Sequence, residues 1–271
     1  MKSVEETARI AANRRSFLKG AGMSGLGLAG AAIIGSKFGE SEQKVAAATD
    51  IDGEILNFAL NLEYLEAEFY AMSTYGATLV ELGVITKADE TGPTTGGNKV
   101  PNFGSSPVAY VATGLRENEI DHVIYLRKAL GSAAVKKPAI NLNALGYGFA
   151  SVDSFLKLAR QFEDVGVSAY LGAAPLITSS AYLAAAGAIL ATEAQHSGSI
   201  RLACIWDGVV SPAVDSLDIP PTSKNPYDVT SAAALSIPRT TSQVLNIVYA
   251  GGKCAGGFYP QGMNGSIVCQ S

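Results

Sequence analysis

The chain is poor in the residues from which many cofactor sites and nucleic-acid surfaces are built. Among 271 residues there are two histidines, three cysteines and one tryptophan. No cysteine has a histidine or a second cysteine at zinc-ligand spacing, which argues against a structural zinc site. The same shortage argues against an iron–sulfur cluster, which needs cysteine thiolates. Basic residues are few as well, 20 Lys+Arg against 24 Asp+Glu, and they form no cluster. A nucleic acid or an anionic membrane surface is therefore a poor partner. No apolar run reaches the roughly 20 strongly apolar residues of a good membrane span. No tandem repeat of roughly 20–50 residues is visible.

The N-terminus has the layout of an export signal. Arg14 and Arg15 precede Ser16-Phe17-Leu18-Lys19, and a mild Gly- and Ala-rich run follows from Gly20 to Gly35. Ala46-Ala47-Ala48 supplies a small-residue cleavage site, so the expected cut lies before Thr49. The paired arginines with the following Phe-Leu-Lys resemble a twin-arginine signal. That resemblance implies delivery to the periplasm or the exterior, by a route associated with proteins exported already folded. It also implies that a metal could be loaded in the cytoplasm. An uncleaved N-terminal anchor is the alternative. Residues 1–48 hold seven basic and four acidic residues. The remaining 223 residues keep 13 basic and 20 acidic ones, a net charge of −7, and suit a single domain. The expected organisation is a signal over 1–48, a helical bundle over 49–208 and a C-terminal extension over 209–271.

Both histidines occur in the same setting. His122 follows Glu119 by three residues, and His196 follows Glu193 by three. On a helix that spacing puts both side chains on one face. Two Glu-x-x-His units, joined by one carboxylate from each of two further helices, are how a four-helix bundle holds a pair of metal ions. A histidine hydrogen-bonded in a core is the plainer reading of either unit alone.

The chain offers the other two helices. The first is expected over Ile51–Tyr75, with Thr49, Asp50 and Asp52 at its start. Glu63 is its candidate ligand and Glu66 the alternative, while Glu68 is expected to face solvent. Residues 83–106 are rich in Gly, Pro, Thr and Asn and form a long connection. The second helix begins near Ser105 or Ser106, carries Pro107 in its first turn and stops at Gly131. Glu119 and His122 lie on its apolar face, and Glu117 and Asp121 are expected to be solvated. The third helix starts around Ser151–Asp153 and ends before Pro175. Glu163 is its lone carboxylate. Asp164 is a rival that points about 100° away. Gly166 and Gly172 invite close helix approach. The fourth helix spans Ser179–Trp206 and ends at Asp207-Gly208.

Tyr70 follows Glu63 by seven residues, as Tyr170 follows Glu163. Each half is thus Glu, Tyr at plus seven, then Glu-x-x-His on the next helix. Beyond Gly208 the chain turns proline-rich and polar, as an extended wrap would, with a short helix after Pro238. Cys254 and Cys269 sit in the glycine-rich end and are the pair expected to form a disulfide in an exported protein, leaving Cys204 as a buried thiol.

Glu63, Glu119, His122, Glu163, Glu193 and His196 together make four carboxylates and two imidazoles. Oxygen and imidazole donors suit iron or manganese. Tyr70 and Tyr170 would steer the carboxylates by hydrogen bonds. The six residues and their order resemble the ferritin-like superfamily. The stretches NFALNLEYLEAEFY and GGFYPQGMNG resemble its exported, desiccation-related branch. The resemblance implies an all-α, four-helix bundle with a long connection between helices 1 and 2, and two Fe or two Mn ions. It implies redox chemistry with dioxygen or peroxide, of the ferroxidase, oxidase or catalase kind. The long connection and the C-terminal wrap depart from cage-forming ferritins and stand against storage in a large shell. The alternatives are a non-enzymatic stress or desiccation scaffold with structural metal or none, and an exported partner whose tail is the contact surface. A homodimer is the expected assembly, with no stable membrane insertion once the signal is cut.

Overall fold

The computed structural model describes residues 51–270. The expected export signal, its cleavage site and the capping pair Thr49–Asp50 lie outside the described residues. Five α-helices are present among the described residues: α1 (Ile51–Tyr75), α2 (Pro107–Leu130), α3 (Val152–Ala173), α4 (Ser180–Trp206) and α5 (Thr241–Val248). The first four form an all-α bundle.

Local chemistry sets the helix ends where the sequence places them. Ser106 caps α2 through the Val108 N–H, with Pro107 in the first turn. Ser151 and Ser179 cap α3 and α4 in the same way, each taking an N–H of the first turn. Thr240 and Gln243 form a capping box at α5. Asp52 behaves differently from its expected role in the first turn of α1. It is buried and accepts from the Thr178 and Ser179 N–H groups and the Thr178 hydroxyl, so it ties the start of α1 to the α3–α4 turn.

Hydrogen bonds fix the helix directions. Asn57, Tyr64 and Thr74 of α1 meet Ala133, Arg127 and Arg116 on the α2 side respectively, so α1 and α2 run antiparallel. Cys204 lies against Leu156, and Ser197 donates to Asp164, so α3 and α4 are antiparallel too. The two hairpins meet through α1 with α3 and α2 with α4.

α1 is apolar nearly all round because it is buried nearly all round. One side packs on α2 and α3, and the C-terminal tail covers another. Tyr259 donates to the Asn61 carbonyl, and the Asn61 side chain exchanges two hydrogen bonds with the backbone of Asn264. The core between α1 and α3 is aromatic, with Phe69 stacked on Phe155 at 5.3 Å and edge-on to Phe162 at 5.1 Å.

The long connection is more ordered than its composition suggests. Thr94–Thr95 (β1) pairs in parallel with Ile140–Asn141 (β2), joining this connection to the one between α2 and α3. The buried Lys137 organises the junction, donating to the Gly92 and Pro138 carbonyls and to Thr94. Glu68 faces this junction and not solvent. It is fully buried, accepts from the Leu79 N–H, and lies 3.8 Å from Lys137 Nζ. The expectation of a solvated Glu68 fails because the connection folds back over that face of α1.

The C-terminal segment runs over α3 as well. A Cβ on Gly172 would lie 1.9 Å from the Arg239 carbonyl oxygen, so the glycine admits a neighbouring extended segment and not another helix. Cys254 and Cys269 form a disulfide, and Cys204 is a buried free thiol. No helix among the described residues is long and apolar enough to cross a membrane.

Candidate metal centre

The middle of the bundle holds a cluster of ionisable groups inside an apolar shell. Glu63, Glu119, Glu163 and Glu193 are each fully buried. The antiparallel packing brings the two Glu-x-x-His units face to face, so that each histidine meets the other unit's glutamate. His122 Nδ1 lies 3.2 Å from Glu63, 3.2 Å from Glu119 and 3.3 Å from Glu193. His196 Nδ1 lies 2.8 Å from Glu119, 3.4 Å from Glu163 and 3.9 Å from Glu193.

Two groups of four emerge, and within each the donor atoms all lie within 4.8 Å of one another. One is Glu63, Glu119, His122 and Glu193; the other is Glu119, Glu163, Glu193 and His196. Glu119 and Glu193 belong to both. All six predicted ligands are thus brought together, in the arrangement of two adjacent positions with two shared carboxylates.

Glu119 Oε1, Glu163 Oε2, both oxygens of Glu193 and His196 Nδ1 are buried without a hydrogen-bond partner. His196 Nδ1 and Glu119 Oε1 still approach each other to 2.8 Å as an ion pair. A buried carboxylate oxygen with no donor costs on the order of 1–3 kcal/mol or more. Several such atoms aimed at one point is the pattern left by groups that converge on a cation. The donor set, oxygen and imidazole with no sulfur, fits iron or manganese. Four carboxylates match the charge of two divalent ions, which is what permits such charges to be buried.

The protonation of the metal-free cluster follows from its charges. Burial pushes Glu63 up to about 7 against the pull of His122. Burial, then the nearby carboxylates, hold Glu193 well above the ordinary range. Burial also works against ionised Glu119, yet the two histidines beside it hold it at about 2. Burial alone would push both histidines down, but His122 is raised by Glu63 and its neighbours, and His196 is raised by Glu119 and Glu163 to about 11. The surrounding carboxylates thus favour the protonated form of both histidines, and a bound metal would have to displace those protons.

The tyrosines are arranged across the halves. Tyr70 donates to Glu163 Oε1 and Tyr170 donates to Glu63 Oε1, each reaching the partner helix and not the glutamate seven residues before it. Burial and then the bonded carboxylate raise both hydroxyls well above the ordinary tyrosine value. Each therefore keeps its proton and can only donate. The bonds fix the orientation of Glu63 and Glu163, the two carboxylates belonging to one group each.

A family of ferritin-like domains matches residues 51–205. The chain belongs to the ferritin-like domain family. No curated protein matches it. The match ends one residue before the end of α4, so the C-terminal segment that covers α1 and α3 is additional to the ferritin-like part.

Two further buried carboxylates belong to neither group of four. Glu66, the alternative to Glu63, is buried one turn along α1. Burial and then Glu193 hold it well above the ordinary carboxylate range. Asp164 is buried as well, in a separate network: it lies 2.5 Å from Arg201, 3.4 Å from Arg160 and 2.6 Å from the Ser197 hydroxyl. The signal for this network was in the sequence, as Arg160 and Arg201 stand in otherwise apolar helical stretches. Glu117 and Asp121 are not buried, as expected.

Proposed function

We propose that the protein holds two divalent ions, iron or manganese, and runs redox chemistry with dioxygen or peroxide. The observation that carries this is the sharing of Glu119 and Glu193 by two groups of four donors whose buried oxygens lack hydrogen-bond partners. Glu63 and His122 would complete one position, and Glu163 and His196 the other. A bound metal pair supplies one-electron steps and Lewis acidity at the centre of the bundle.

The chain's own contribution is then specific. Glu119 and Glu193 set the spacing of the two positions. Tyr70 and Tyr170 hold Glu163 and Glu63 by hydrogen bonds, which stops these carboxylates from turning away. The four carboxylates are fully buried, and the low polarity of such an interior strengthens every charge interaction inside it. Burial raises Glu63 to about 7 in the metal-free cluster, which brings its proton exchange near neutral pH.

A second reading, an exported stress or desiccation scaffold without redox chemistry, draws on one observation. The cluster can balance its own charge through raised carboxylates and imidazolium ions. Export by the twin-arginine route, cleavage before Thr49 and the domain limits 1–48, 49–208 and 209–271 remain part of the proposal. The Cys254–Cys269 disulfide supports an oxidising compartment. A homodimer is proposed on the outward face of α4, where Leu183, Leu202 and Trp206 are exposed and no charged side chain points out.

The deciding experiment is elemental analysis with EPR on protein purified from its native compartment. About two Fe or two Mn per chain, lost in the His122→Ala/His196→Ala double variant, is the expected result. Metal far below one per chain in a folded, stable protein leaves the scaffold reading.

A further inference from the structure

The C-terminal segment leaves space where it covers α1 and α3. A cavity of about 370 Å³ lies between α3, residues 212–214 and α5. A second, of about 10 Å³, lies deeper, against α1. Three side chains, Phe162, Val165 and Val248, line both. The inner cavity ends on Glu66 and Gly166.

Gly166 is where this space meets the carboxylate cluster. A Cβ there would lie 2.8 Å from Glu193 Oε2 and 3.1 Å from Glu66 Oε1. A Cβ there would press on both carboxylates, so only the bare backbone of Gly166 stands between the inner cavity and a carboxylate shared by both groups of four. Apart from Glu66, the walls of the inner cavity are apolar or bare backbone. Its volume holds about one water-sized molecule. A metal ion with its hydration shell is several times larger and would lose that shell against apolar walls. A small neutral molecule incurs no such loss of hydration against them.

We propose that the outer cavity, the Phe162–Val165–Val248 constriction and the thin backbone wall at Gly166 form the passage by which a small uncharged oxidant, dioxygen or peroxide, reaches the centre. Metal ions take another way in. The opposite side of the bundle offers one, because the His122 and His196 side chains there keep 12% and 6% exposure. Val248 lies outside the segment matched by the ferritin-like family, so the passage is built jointly by the bundle and this chain's own extension. The inference rests on the dinuclear reading above.

The test uses the full-length protein with Val165→Phe and, separately, Val248→Phe. Metal content and the rate of metal loading are expected to stay as in the parent. The second-order rate of peroxide reaction with the loaded protein, read by stopped-flow absorbance, is expected to fall tenfold or more. Xenon-pressurised crystals of the metal-free parent are expected to show a xenon atom between Phe162, Val165 and Val248, and those of Val165→Phe none. Val248→Ala, which opens the constriction without crowding the core, is expected to raise the peroxide rate. Xenon excluded by Val165→Phe while the peroxide rate is unchanged overturns the passage and places the oxidant on the histidine side. A parent with no xenon at this point and no response to Val248→Ala overturns it as well. A parent that takes up no metal fails the dinuclear reading on its metal analysis alone, before any of these rates is measured.

Discussion

The Tyr70 hydroxyl donates to Glu163, 93 residues away on α3, while Tyr170 of α3 donates to Glu63 on α1. The two bonds cross the interface between the halves in opposite directions, and each half thereby orients the other's carboxylate. Tyr70→Phe should release Glu163 and loosen metal binding about 10–100-fold, with Tyr170→Phe acting likewise through Glu63. Chelator competition on the two single variants measures it. Parent affinity in both would show that these bonds do not hold the carboxylates in place.

The shared and unshared carboxylates should separate in stoichiometry. Glu119 and Glu193 belong to both groups of donors, and Glu63 and Glu163 to one each. Glu119→Ala or Glu193→Ala should abolish binding of both ions. Glu63→Ala or Glu163→Ala should leave about one ion per chain, because a complete set remains on the other side. Elemental analysis distinguishes the cases. Two ions retained in Glu119→Ala would rule out a shared role for that residue.

Asp164 holds two buried arginines and is no part of the metal cluster. Asp164→Ala leaves Arg201 without its ion-pair carboxylate, while Arg160 keeps Asp218 at 2.7 Å. Removing one partner from a buried ion network costs about 3–5 kcal/mol. For a chain of this length, that lowers the melting temperature by about 10 °C. Metal stoichiometry of the folded fraction should stay unchanged. A loss of metal at unchanged stability would mean that Asp164 serves the centre after all.

Glu68 should impose a pH slope on stability. Burial raises it from 4.5 to about 7, against the pull of Lys137. The folded value lies above the unfolded one, so the folded state binds the proton more tightly. Its contribution is full below about 4.5, declines as pH rises and is gone above about 7. The loss is about 3 kcal/mol at most. Urea unfolding of metal-free parent and Glu68→Gln across this window checks it. The stability difference should shift in favour of the variant as pH rises, and a constant difference would place the charge of Glu68 outside the balance.

Much of the bundle was legible in the sequence because its signals are local. Ser106, Ser151 and Ser179 cap their helices through N–H groups two or three residues away. Glu119 and His122, like Glu193 and His196, share a face by helix period alone. These features need no knowledge of what packs against them. The burial of Glu68 needed such knowledge, because it depends on a connection that folds back and places Lys137 over α1. The role of Asp52 needed it too, since its partners lie 126 and 127 residues away.

The sequence by itself determined the helices, their limits and which six side chains are the candidate donors, since backbone period and capping act over a few residues. Tertiary structure alone decided that Glu119 and Glu193 are shared and that each tyrosine serves the opposite half. It also decided that Gly166 opens on a cavity and Gly172 on the Arg239 carbonyl. Those outcomes depend on antiparallel packing and on where the C-terminal segment comes to lie. Such long-range contacts are set by the joint burial of apolar surface from distant parts of the chain, which no short window of residues contains.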